Sequence, residues 1–133
     1  MRVAELMHTD LKTVHEDATL ADVVTTLADA HVSGLPVIDA QRRLVGVVST
    51  TDVLGAIAEA GSGEERERVF DSTIVRDVMT ARPQTIEVDE DVLDAARRML
   101  YLEVRRLFVE ADGQLAGVVS HTDIVGALAT GKL

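Results

Sequence analysis

Hydrophobic positions recur twice along this chain at helical spacing. Leu20, Val23, Val24, Leu27 and Ala28 stand at i, i+3, i+4, i+7 and i+8, as do Val92, Ala95, Ala96, Met99 and Leu100 farther on. That spacing gathers each set on one face of a helix. Thr19 with Asp22 supplies a capping-box start for the first helix, and Asp89 or Asp91 an N-cap for the second. A short extended segment precedes each helix, residues 12–15 and 84–88, with Thr13 and Thr85 in register. Two extended segments follow each helix, residues 35–39 and 44–49 in one case and 107–110 and 115–120 in the other. Both pairs are rich in β-branched residues and are separated by the polar runs Ala40-Gln41-Arg42-Arg43 and Ala111-Asp112-Gly113-Gln114. Gly113 suits the positive φ of a tight hairpin turn. Neither 44–49 nor 115–120 alternates cleanly, which predicts strands buried on both faces. A further helix starts near Asp52, through Val53, Leu54, Ile57 and Ala58, and its mate starts near Asp123, through Ile124, Val125 and Leu128. Pro36 marks a sheet edge or a position whose N–H the ladder does not need.

The chain is therefore a duplication. The amphipathic helices lie 72 positions apart, and Leu44-Val45-Gly46-Val47-Val48-Ser49-Thr50-Thr51-Asp52 returns 71 positions later as Leu115-Ala116-Gly117-Val118-Val119-Ser120-His121-Thr122-Asp123. One residue is lost in the intervening turn. Lead-in segments 3–9 and 74–80 also match, with Met7 and Met79 in register as core residues. The expected fold is α/β, a β-α-β-β-α unit used twice with pseudo-twofold symmetry. Residues 1–60 form the first repeat, 61–73 a linker and 74–130 the second repeat. The Gly/Ser start and mixed charge of residues 61–68 predict an exposed connector holding a short helical turn.

Composition narrows the function classes. Aromatic residues are 2% of the chain (Phe70, Tyr101 and Phe108), so the core is aliphatic and the composition argues against a base-stacking platform. The absence of cysteine removes disulfides, thiolate metal sites and cysteine nucleophiles. A net charge of −10 disfavours nucleic-acid backbones and anionic membranes. No apolar run approaches the roughly 20 residues needed to span a bilayer, and no signal segment opens the chain, which predicts a cytoplasmic protein.

The candidate chemistry lies in Ser-x-x-Asp, at Ser49–Asp52 and again at Ser120–Asp123. Two readings stand side by side. Ser-x-x-Asp is a helix capping box, and a helix begins at each. A strand end feeding a helix N-terminus also offers backbone N–H groups to phosphate, and an adjacent carboxylate accepts hydrogen bonds from ribose hydroxyls.

Leu-Pro-Val-Ile-Asp followed by Leu-Val-Gly-Val-Val-Ser-x-x-Asp resembles a CBS domain, and the two copies resemble a tandem CBS pair, or Bateman module. The likeness spans about Val3 to Leu128. It implies two repeats packed sheet to sheet, two clefts, and binding of an adenosyl ligand (AMP, ADP or ATP, or S-adenosylmethionine) by an energy or metabolite sensor. By the same resemblance Asp52 and Asp123 hold ribose, and Ser49, Thr51, Ser120 and Thr122 reach ribose or phosphate. Ser33 and Gly34, and Arg105 and Arg106, contact base or phosphate, while Thr13 and Thr85 line the adenine pocket. The resemblance combines Thr13, Ser33 and Gly34 with Ser120–Asp123, and Thr85, Arg105 and Arg106 with Ser49–Asp52. It also implies a homodimer.

The copies differ where ligand chemistry is expected. Arg105-Arg106-Leu107-Phe108 replaces Ser33-Gly34-Leu35-Pro36. A guanidinium pair suits phosphate oxygens, although pairing with Glu103 or Glu110 is the alternative. His121 sits inside the second Ser-x-x-Asp motif, where it would flank a ligand. His8, His15 and His31 are scattered without metal-ligand spacing, and no nucleophile–base pair or phosphate loop is present, so neither a metal site nor an enzyme is expected. The function expected is a regulatory module with no required cofactor, signalling through an unidentified protein target or self-association. The alternative is a ligand-free dimerisation or interaction scaffold.

Overall fold

The computed structural model describes residues 1–133. Its chain order is β1 (Val14–His15), α1 (Leu20–Ala30), β2 (Gly34–Ile38), β3 (Leu44–Ser49), α2 (Thr50–Ala58), α3 (Gly63–Ser72), β4 (Thr80–Ala81), β5 (Thr85–Glu87), α4 (Val92–Leu102), β6 (Arg106–Ala111), β7 (Gln114–Ser120) and α5 (His121–Ala129). Short 3-10 turns at Val3–Glu5 and Val75–Asp77 open the two lead-ins.

The helix starts obey the cap chemistry read from the sequence. Thr19 accepts from the Asp22 N–H while the Asp22 carboxylate takes the Thr19 N–H. For α4 the cap is Asp91, which accepts from the Leu93 N–H at 2.8 Å. Both α1 and α4 end on a left-handed residue, His31 (φ 53°) and Glu103 (φ 57°), and its N–H satisfies a last-turn carbonyl.

The chain divides into two compact units that cut across the repeats. One comprises Lys12–Pro83, the other Met1–Leu11 with Gln84–Leu133. Each lead-in thus packs with the other copy's helices and strands. In the Lys12–Pro83 unit the sheet order is β1-β2-β3-β4, with β1 parallel to β2 and the other pairs antiparallel. Its core joins Val14, Leu20, Val23, Leu27, Leu35, Val37, Val48, Val53 and Val75. The other unit has the order β5-β6-β7, and its core is Val3, Ile86, Val92, Ala95, Met99, Leu107, Val109, Val119 and Ile124. There His8 bridges to Val118 of β7, as Thr80 of β4 pairs with Val47 of β3.

The structure refines several expectations. In β3 and β7 fully buried positions alternate with half-buried ones, and Val45 on the half-buried side of β3 also packs against the core. The residue 61–73 connector is mostly a ten-residue helix, α3, capped by Ser62 on the Glu65 N–H, with Val69 and Phe70 against the core. Two apolar residues among so many charges gave too faint a period to read. Of the two readings of Pro36, the sheet edge fails and the unneeded N–H holds, since β2 is an interior strand. Its β1 partners begin one residue later, at Val37, so the missing N–H costs no ladder bond there. No helix is long and apolar enough to cross a membrane.

Candidate ligand-binding sites

Each unit collects the predicted residues of one copy at one end of its own sheet. In the Lys12–Pro83 unit, Ser49 closes β3 and caps α2. Its hydroxyl accepts from the Asp52 N–H, and the Asp52 Oδ2 accepts from the Ser49 N–H at 2.7 Å and its hydroxyl at 3.0 Å. Ser33 and Gly34 lie beside this junction, because the Thr50 N–H donates to the Ser33 carbonyl at 2.9 Å and Gly34 pairs with Ser49. Thr13 immediately precedes β1, which runs parallel to β2, and so belongs to the same end. Thr51 is exposed in the first turn of α2.

The other unit repeats this arrangement. Ser120 caps α5, with its N–H donating to Asp123 Oδ2 at 2.8 Å, and the His121 N–H donates to the Arg105 carbonyl at 2.9 Å. Arg106 pairs with Ser120 across the hairpin, and Thr85 pairs with Phe108. His121 and Thr122 are exposed at the helix start. Arg105 and Arg106 are exposed as well, and the arginine ion pairs of the chain are made instead by Arg43, Arg76, Arg97 and Arg98. Pairing of Arg105 or Arg106 with Glu103 or Glu110 is therefore not the arrangement found.

Sequence reasoning missed His8. Its Nε2 lies 2.6 Å from Asp123 Oδ1, across 115 positions of chain. Burial opposes ionisation of Asp123, but hydrogen bonds from His8 and from the Ser120 N–H and hydroxyl outweigh it and hold this carboxyl below its ordinary range. The available signal was the register of the lead-ins, in which His8 stands where the other copy has Thr80. No group of three or more metal-ligating side chains is placed to hold an ion.

Comparison with known proteins fits this duplicated geometry. The CBS domain family model matches twice, over residues 3–59 and 75–130. The chain belongs to the CBS-domain family, as a tandem pair. This CBS pair is 32% identical over 139 residues to the chloroplastic CBS domain-containing protein CBSX1 of Arabidopsis thaliana, covering 89% of the chain and 59% of that protein. It is 33% identical over 125 residues to inosine-5′-monophosphate dehydrogenase of Bifidobacterium longum, covering 90% of the chain but 21% of the enzyme. The CBS pair thus spans little more than half, or less, of these relatives' lengths. Among solved structures, CBSX2 of Arabidopsis thaliana in complex with AMP superposes with a TM-score of 0.77 at 32% identity, covering 99% of this chain and 98% of that one.

Proposed function

We propose that this CBS pair is a non-catalytic regulatory module that binds an adenosyl ligand and passes its occupancy to a protein target or to self-association. AMP, ADP or ATP is the ligand class favoured, with S-adenosylmethionine next. The observation that carries the reading is the twice-built junction of strand end, capping serine and aspartate. It sets an ionisable carboxylate beside the first turn of a nine-residue helix in each unit. An ionised carboxylate is acceptor-only and matches the two hydroxyls of a ribose, while the helix start favours phosphate. The 32% identity to CBSX2, solved with AMP, supports the same ligand class.

In this reading Asp52 and Asp123 take ribose, and Ser49, Thr51, Ser120, His121 and Thr122 line the phosphate side. Ser33, Gly34, Arg105 and Arg106 meet base or phosphate, and Thr13 and Thr85 border adenine. Ligand stabilises the bound conformation by mass action and signals only through a difference in affinity between two states. A thermal shift with millimolar AMP, ATP and S-adenosylmethionine tests this. A rise in melting temperature for at least one ligand, reduced by Asp52→Asn or Asp123→Asn, is expected. No shift with any of the three rejects the sensor.

A ligand-free scaffold is the second reading. It is favoured by apolar side chains left in solvent on the helices, with Leu100 74% and Tyr101 87% exposed on α4 and Val125 and Leu128 also exposed on α5.

A further inference from the structure

The two Ser-x-x-Asp carboxylates are not equally free. Asp52 commits Oδ2 to the Ser49 N–H and hydroxyl and leaves Oδ1 with no hydrogen bond from the protein. Asp123 commits Oδ2 to the Ser120 N–H, and its Oδ1 is capped by the His8 imidazole at 2.6 Å. The imidazole is delivered there by a fixed backbone. The His8 N–H donates to the Val118 carbonyl at 2.8 Å, and the His8 carbonyl accepts from the Val118 N–H at 2.9 Å. At the same register the other unit has Thr80, paired with Val47 and carrying no imidazole.

A carboxylate that clasps a ribose diol needs acceptor lone pairs facing both hydroxyls. Asp52 offers Oδ1 unencumbered. At Asp123 a diol has to displace an imidazole from a hydrogen bond to an ionised oxygen, which is stronger than one between neutral groups. The displacement is sterically feasible because the His8 side chain is 67% exposed and can turn outward, whereas the Asp123 side chain is only 15% exposed and stays put. The contacts that hold Asp123 ionised also keep it in the form that accepts ribose hydroxyls.

We infer that His8 gates Asp123, so that an adenosyl ligand fills the Asp52 carboxylate first and the Asp123 carboxylate only after the imidazole swings away. The inference rests on the adenosyl reading above and names what makes its two ribose acceptors unequal. His8 acts on the ligand by occupying its acceptor, so exchanging the residues of the two lead-ins should exchange the affinities.

The test is isothermal titration of the intact chain with AMP, in wild type, His8→Thr, Thr80→His and the double exchange. Threonine is already accommodated at this register in the other unit, so His8→Thr is compatible with the fold. Wild type should show a tight class of site lost in Asp52→Asn and a weaker class lost in Asp123→Asn. His8→Thr should tighten the weaker class by about tenfold, the loss of one competing hydrogen bond, and Thr80→His should weaken the tighter one. Imidazole ¹⁵N resonances add a readout that a purely structural role would not move. The His8 signals should hold through the first equivalent of AMP and shift toward a free ring with the second.

Three results would overturn the gate alone: AMP binding with affinities unchanged by His8→Thr, a tighter class that depends on Asp123, or His8 resonances unmoved at saturation. Failure of AMP, ATP and S-adenosylmethionine to bind both wild type and His8→Thr would instead reject the adenosyl reading, and the gate with it.

Discussion

Gly117 lies under the backbone of His8. A Cβ added at Gly117 would stand 2.6 Å from the His8 carbonyl oxygen and 3.0 Å from Met7 Sδ. In the other unit a Cβ at Gly46 would meet Met79 Sδ and, at 2.9 Å, the Thr80 carbonyl oxygen. The glycine of Gly-Val-Val is thus demanded in both repeats by a lead-in crossing the outermost long strand. Gly117→Ala should destabilise its unit by about 2–3 kcal/mol, because backbone cannot retreat as a flexible side chain can. Gly46→Ala should cost less, since its closest obstacle is a thioether that can rotate. Urea midpoints of the two variants decide it, and negligible losses in both would contradict the crossing.

Val3 and Val75 occupy matching lead-in positions and are both fully buried, each in the core of the opposite copy. Val3→Ala should remove about 1–2 kcal/mol of packing and lower amide hydrogen-exchange protection in residues 84–133. Val75→Ala should do so in residues 12–83. Protection lost in a valine's own repeat would refute the exchange of lead-ins.

Asp123 gives a pH signature with a definite sign. Its folded pKa is depressed, so the unfolded chain binds more protons and stability rises with pH. The contribution is complete above the unfolded carboxylate value, about 4, and fades as pH falls through the folded value. Melting curves of wild type and Asp123→Asn should therefore converge as pH drops from 5 toward 2.5. Parallel curves would mean that the His8 and Ser120 contacts contribute nothing in solution.

Glu110 behaves in the opposite sense. Burial, and then the charge of Glu87 paired beside it on β5, raise its pKa. The folded state then binds more protons, and stability declines as pH rises from the unfolded value through the folded one. Glu110→Gln should raise the melting temperature by roughly 2 °C at pH 7 and leave it unchanged at pH 3. A loss at pH 7 would show that the ionised carboxylate is stabilising.

Val125 and Leu128 are exposed about one helical turn apart on α5, and the self-association proposed above would draw on this apolar face. The double change Val125→Glu and Leu128→Glu should shift sedimentation toward the monomer with the melting temperature little altered. An unchanged sedimentation coefficient would remove this face from any dimer.

Much of the fold is written in local chemistry. Thr19 and Asp22, Ser49 and Asp52, and Ser120 and Asp123 announce helix starts because a cap needs only residues three positions apart. The strand pairs follow from β-branched runs bracketing a turn, and Asp112 and Gly113 both adopt the positive φ that a tight turn requires. What was not legible depends on distant partners. The repeat shows that Val3 matches Val75, but not which copy each packs into. The pairing of His8 with Asp123 joins residues 115 positions apart, and only the mismatch of His8 with Thr80 hinted at it. Residues 61–73 read as a connector because Val69 and Phe70 are too few to make a stripe, although they suffice to dock α3.

The exchange of lead-ins also says where this chain can be cut. Severing it between repeats, near Gly61, would give two fragments that each carry a strap fitted to the other and lack the one fitted to themselves. Each fragment would lack a fully buried valine of its own core, Val75 or Val3. Mixed together, they are complementary halves that should recover structure as a pair. Duplication thus supplies both straps within one chain, and α3 links the first repeat to the strap that completes its core.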